Sequence, residues 1–207
     1  MTTLDLKQIQ INSAIDLFSK GEISQALDAV QDLLKDYPNE PVLFNIKGAC
    51  YADLGQLDVA VTNYKEAITI KPDYAKAHFN LAGSLHDLGQ LETAVQSYQK
   101  AIEIDASYAE AYNNLGNVYQ ELKQVESAVQ NYKRALEIKP DYVAAQYSLG
   151  NTFMELGQLE EAVKSYKAAL KLKPDFVEAI NNLGIAFYKL QQMDDAIRSY
   201  ERAITLD

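Results

Sequence analysis

The sequence predicts an all-α chain, a solenoid of six tandem helix-turn-helix repeats. Three observations predict it. Tyr64, Tyr98, Tyr132, Tyr166 and Tyr200 stand 34 residues apart. Two alanine registers keep the same interval, Ala26, Ala60, Ala94, Ala128, Ala162 and Ala196 in one, and Ala67, Ala101, Ala135, Ala169 and Ala203 in the other, whose first slot holds Leu33. Pro38, Pro72, Pro140 and Pro174 follow it too, with Ala106 in the missing turn. Self-similarity at a period of 20–50 residues is the signature of stacked repeats that share one continuous core.

The elements of one repeat follow from residues 109–142. Ala111, Tyr112, Leu115, Val118, Tyr119 and Leu122 recur at three- and four-residue steps, one face of an amphipathic first helix. Gly116 lies in that helix, as do Gly48, Gly150 and Gly184 in theirs. A helical glycine costs roughly 0.8–1 kcal/mol relative to alanine, so it marks a place where a neighbour must come close. Ala14 and Ala82 fill the slot in the other two repeats.

The turn comes next. Gly21, Gly55, Gly89 and Gly157 suit a left-handed C-terminal cap. Lys123 and Gln191 replace glycine there, so those two turns are expected to be slightly strained. Val125, Ala128, Val129, Tyr132, Ala135, Leu136 and Ile138 mark the second helix. Pro140 stops it, because proline lacks the N–H and disfavours helical geometry in the residue before it.

These residues resemble the tetratricopeptide repeat. Tyr112, Leu115-Gly116, Tyr119, Ala128, Tyr132, Ala135 and Pro140 match its pattern slot by slot. Residues 41–74, 75–108, 143–176 and 177–207 match most slots, and 7–40 matches more loosely. The resemblance implies a right-handed superhelix forming a single domain over residues 1–207. The last repeat ends without an additional helix to cover Ile197, Tyr200 and Ile204. Either the chain is a segment of a longer protein, or that face meets another molecule, a second copy included.

In this family the first helix of each repeat lines the concave surface. The matching positions are rich in asparagine: Asn45, Asn80, Asn113, Asn114, Asn117, Asn151, Asn181 and Asn182, with Tyr147 among them. Asparagine is a poor helix former, and its amide both donates and accepts. The row is similar to the asparagine ladder of the superhelical array attached to a protein-glycosylating transferase, O-linked N-acetylglucosamine transferase. The resemblance therefore implies that these residues bond the backbone of an extended peptide. The alternative is that they bond neighbouring helices or face water. Phe79 and Tyr188 are further candidates for apolar pockets on that surface. Asp53, Asp87, Glu121 and Glu155 share one slot and form an acidic row.

Composition narrows the partner. The 207-residue chain carries a net charge of −10. Binding to phosphates needs clustered Lys and Arg, so neither nucleic acid nor an anionic membrane is expected as partner. No apolar run is long enough to span a bilayer. No secretory signal is apparent at the N-terminus, and a cytoplasmic location is expected. Cys50 is the only cysteine, read as a small buried side chain. His78 and His86 lack partners at metal-ligand spacing. No phosphate loop or nucleophile elbow is present. No cofactor, metal or catalytic residue is therefore expected. The expected function is a non-catalytic protein–protein interaction module with a protein or peptide partner. The alternative is a structural scaffold or self-associating module, or the N-terminal part of a larger enzyme.

Overall fold

The computed structural model describes residues 3–206, with side chains from residue 6. Among the described residues there are twelve α-helices and no strand: α1 (Thr3–Ser19), α2 (Ile23–Asp36), α3 (Pro41–Asp53), α4 (Leu57–Ile70), α5 (Ala75–Asp87), α6 (Leu91–Ile104), α7 (Ala109–Glu121), α8 (Val125–Ile138), α9 (Val143–Glu155), α10 (Leu159–Leu172), α11 (Val177–Lys189) and α12 (Met193–Leu206). The chain is an all-α solenoid of helical repeats. It divides into two compact units, the first holding α1–α6 and the second α7–α12.

Each pair is joined by a three-residue turn, too short for anything but antiparallel neighbours. The turn closes through the left-handed residue that the spacing predicts. Gly21, Gly55, Gly89 and Gly157 have φ of 71–77°. Lys123 and Gln191 are forced to φ of 60° at the same slot. The residue after it bonds back around the helix end, as Gln56 N–H does to Tyr51 O at 2.8 Å and Gln124 N–H to Tyr119 O at 2.8 Å. That bond satisfies a carbonyl the helix would otherwise leave open.

The small residues set the packing. A β-carbon built on Gly48 would lie 2.6 Å from the Tyr64 ring, and on Gly150 2.6 Å from Tyr166. The glycine thus lets the tyrosine of the second helix lie against the backbone of the first. Tyr64, Tyr98, Tyr132 and Tyr166 are at most 2% exposed. In the first repeat Ala14 faces a smaller Val30, and both are fully buried.

In unit 1, Ile11, Ala14, Ala26, Val30, Leu33, Leu43, Ile46 and Cys50 form one buried cluster. Burial pushes the Cys50 thiol up to about 11, with the Asp53 charge adding to it, so this sulfur is an inert packing group. In unit 2 a second cluster runs from Ala128 and Tyr132 through Phe153, Tyr166, Ile180 and Phe187 to Ala203.

Candidate functional site

In unit 1 the first helices of the three pairs, α1, α3 and α5, frame a cleft of about 300 Å³. Ile15 and Phe18 of α1, with Val42, Ile46, Ala49 and Ala52 of α3, make it largely apolar. Asn45 and Asn80 stand in its wall, where Asn80 Nδ2 donates to Asn45 Oδ1 at 2.9 Å. Asp53 and Lys76 are exposed on its rim. Tyr64 reaches it from α4, and burial pushes that phenol well above its ordinary range, with the Asp53 charge contributing next.

The asparagines of unit 2 are arranged differently. The Tyr132 hydroxyl donates to Asn117 Oδ1 at 2.7 Å and lies 3.1 Å from Gln120 Oε1. The Tyr166 hydroxyl donates to Asn151 Oδ1 at 2.7 Å. Asn182 Nδ2 donates to the same oxygen at 3.0 Å and lies 3.1 Å from the Tyr147 hydroxyl. The Tyr147 ring packs 4.8 Å from Phe176 and 6.1 Å from Tyr166. Asn117 and Asn151 therefore satisfy buried tyrosine hydroxyls, a demand that any buried O–H makes, while Asn182 braces Asn151 and the half-buried Tyr147.

The remaining candidates divide by exposure. Asn45 and Asn113 are each 4% exposed. Asn113 Nδ2 donates to Asn114 Oδ1 at 3.1 Å, and its own Oδ1 is buried without a partner. Asn114 is half-buried and Asn181 exposed. Phe79 packs edge-on against Tyr98 at 5.7 Å, while Tyr188 is 59% exposed. The acidic row, Asp53, Asp87, Glu121 and Glu155, is exposed throughout. His78 sits 3.0 Å from the Pro72 carbonyl, half-buried.

Repeat-family models match this chain over most of its length. The model described as TPR repeat matches residues 48–86, 83–123 and 150–191. Models described as Tetratricopeptide repeat match 109–142 and 177–207, and 131–164. The chain belongs to the tetratricopeptide repeat family. Tetratricopeptide repeats mediate protein–protein interaction, and their fold is in general a non-catalytic one that binds protein or peptide partners.

Similarity to individual proteins adds context. The Peroxisomal targeting signal receptor of Saccharomyces cerevisiae is 27% identical over 84 residues, 41% of this tetratricopeptide chain and 14% of that receptor. The chain thus matches only about one seventh of the receptor's length. The solved structure of pilF from Pseudomonas aeruginosa superposes with a TM-score of 0.86 at 16% identity, covering 94% of this chain and 89% of that one. YrrB, described as a TPR protein with an unusual peptide-binding site, superposes at 0.74 with 18% identity, over 87% and 93%. At these identities the two structures speak for the fold alone.

Among the described residues no three His, Cys, Asp or Glu side chains gather as a metal site. None of the described helices is long and apolar enough to cross a membrane. Nothing in the sequence singles out Ile15, Phe18, Val42 and Ala49, which line the cleft. Ile15 and Phe18 belong to the loosely matching first repeat, and apolar side chains on a repeat helix look the same whether they face a core or a cleft.

Proposed function

We propose that this tetratricopeptide chain binds an extended peptide segment of a partner protein on the face formed by the first helices of its repeats. The observation that carries this is the apolar cleft framed by α1, α3 and α5, with the Asn45–Asn80 amide pair in its wall. Ligand pockets are mostly apolar with a few placed polar groups, and this cleft has that composition. An amide pair in the wall offers a peptide backbone both a donor and an acceptor. Asn80 retains some exposure and is the asparagine of this wall best placed for such contacts. YrrB, which shares this fold, is a TPR protein with an unusual peptide-binding site, in agreement with this function.

The test is affinity for a bound peptide before and after Asn80→Ala. Weaker binding with unchanged helicity is expected, and unchanged affinity would refute the role of the amides. Asn151 is left intact in that test because it holds the Tyr166 hydroxyl.

A second function is favoured by one observation, the face of α12. Ile197 is 54% exposed and Ile204 77%, whereas Val163 and Leu170 at the same slots one repeat earlier are 9% and 8% exposed. Exposed large apolar side chains on one helix are the material of an interaction site. Self-association through α12 would appear as a mass in light scattering that rises with concentration and is abolished by Ile197→Glu or Ile204→Glu. A constant monomer mass rules it out.

A further inference from the structure

We propose that the unit 1 cleft is the specificity pocket of the peptide site, resting on the peptide-binding function above. It takes one large aliphatic or aromatic side chain. A basic residue of the same segment lies toward Asp53 and an acidic one toward Lys76.

Comparison of equivalent slots in the two units carries the argument. Three repeats on, Ile15, Phe18, Ile46 and Ala49 become Asn117, Gln120, Ser148 and Asn151. In unit 2 those slots hold polar groups that are bonded to the Tyr132 and Tyr166 hydroxyls or lie beside them. The slot of Asn45 is occupied there by Tyr147, whose ring packs on Phe176 and whose hydroxyl meets Asn182. A tyrosine of the chain itself thus fills the place from within. In unit 1 the shorter Asn45 leaves it open, and the surrounding slots are apolar. A volume of about 300 Å³ is at the small end of ligand sites, enough for one bulky side chain and not for a folded element. Ile15 is 39% exposed at its edge, an apolar surface that an entering side chain would cover.

The rim sets the flanks. Asp53 is the last residue of α3 and Lys76 the second of α5. As first helices of neighbouring pairs, α3 and α5 run in the same direction, so the acid and the base mark opposite ends of the cleft. Glu40, the N-cap of α3, is ion-paired with Lys7, which leaves the Lys76 end net basic. The two slots differ by eleven helical positions, about 16 Å at ~1.5 Å per residue. An extended chain covers that in about five residues. The segment that fits has its bulky residue between a basic and an acidic residue roughly five positions apart, with backbone groups near Asn45 and Asn80.

The test begins with random twelve-residue peptides displayed on phage and selected against the full chain. The strongest is synthesised and its affinity measured by fluorescence anisotropy for the parent, Asn45→Tyr, Ala49→Asn and the double charge reversal Asp53→Lys with Lys76→Glu. The first two variants import residues that unit 2 already carries at these slots, and circular dichroism checks their helicity. If Asn45→Tyr fails to fold, Ala49→Asn carries the test. We expect selected peptides to share the stated pattern and both fillings to weaken binding at least tenfold. The charge reversal should weaken it as much and be rescued by a peptide with its two charges exchanged. Peptides that bind parent and filled variants alike overturn the specificity pocket and leave peptide binding at another place. Selection of no peptide overturns the peptide-binding function as well.

Discussion

A β-carbon on Gly116 would sit 2.6 Å from Cε1 of Tyr132. The ring cannot retreat freely, because it is fully buried and its hydroxyl is held by Asn117 at 2.7 Å. Gly116→Ala is predicted to destabilise the chain. Overpacking costs about 1–3 kcal/mol, against roughly 0.8–1 kcal/mol gained from helix propensity. The net loss expected is about 1 kcal/mol, read from urea unfolding. Tyr132→Val should relieve it, since Ala14 and Val30 occupy the same two slots in the first repeat. A double-mutant cycle must therefore show the pair coupled; simple additivity would show that the contact does not limit the packing.

The two non-glycine turns give a prediction of opposite sign. Lys123 and Gln191 hold φ of 60°. A left-handed conformation costs an L residue about 1–2 kcal/mol, and the greater freedom of glycine when unfolded returns part of that. Gln191→Gly should stabilise by about 0.5–1 kcal/mol and raise the thermal midpoint. Lys123→Gly should gain less. Lys123 and Glu155 face each other at 3.9 Å on the surface, a contact worth at most about 1 kcal/mol. No rise for Gln191→Gly would mean the turn is not strained.

The asparagines separate by what they hold. Asn151→Ala removes the acceptor shared by Tyr166 and Asn182, and an unsatisfied buried polar group costs about 1–3 kcal/mol. Asn80→Ala removes the donor to Asn45 Oδ1 on the wall of an open cleft, where water entering the vacated space can replace it, and should change stability by less than about 1 kcal/mol. Thermal unfolding of the two variants gives the comparison. Equal losses would contradict the division between scaffold and ligand asparagines.

Alkaline pH probes the same tyrosines. Burial, the first cause in each case, pushes the phenols of Tyr64, Tyr132 and Tyr166 well above their ordinary value. The unfolded phenol ionises near pH 10, so the contribution is complete below that. Above it the unfolded chain binds fewer protons than the folded one, and stability falls as pH rises. The loss is about 1.4 kcal/mol per pH unit for each such tyrosine. Tyr132→Phe should reduce the slope of stability against pH by one proton. An unchanged slope would show that Tyr132 ionises in the folded state.

Spacing alone made much of this legible. A glycine or alanine in the first helix and a tyrosine sixteen residues later state the close approach directly, and Gly21, Gly55, Gly89 and Gly157 state the turn. The hydrogen bonds of Asn117 and Asn151 were not legible. An asparagine facing a tyrosine hydroxyl and one facing a ligand occupy the same slots, and only the positions of Tyr132 and Tyr166 decide between them. The cleft was half legible. Asn45 and Asn80 stood out as polar residues in helices, but the openness of the cleft comes from what Asn45 lacks beside Tyr147 three repeats on. The tyrosine and alanine registers run on between α6 and α7, and the one break in the proline register, Ala106, falls at the division into two units.

The most direct test of peptide recognition in the unit 1 cleft is an NMR titration of the ¹⁵N-labelled chain with a phage-selected peptide. Saturable shifts at the amides of Ile15, Ile46, Ala49 and Asn80 are predicted, weak or absent in Asn45→Tyr. Shifts confined to α12, or to residues outside α1, α3 and α5, would contradict it.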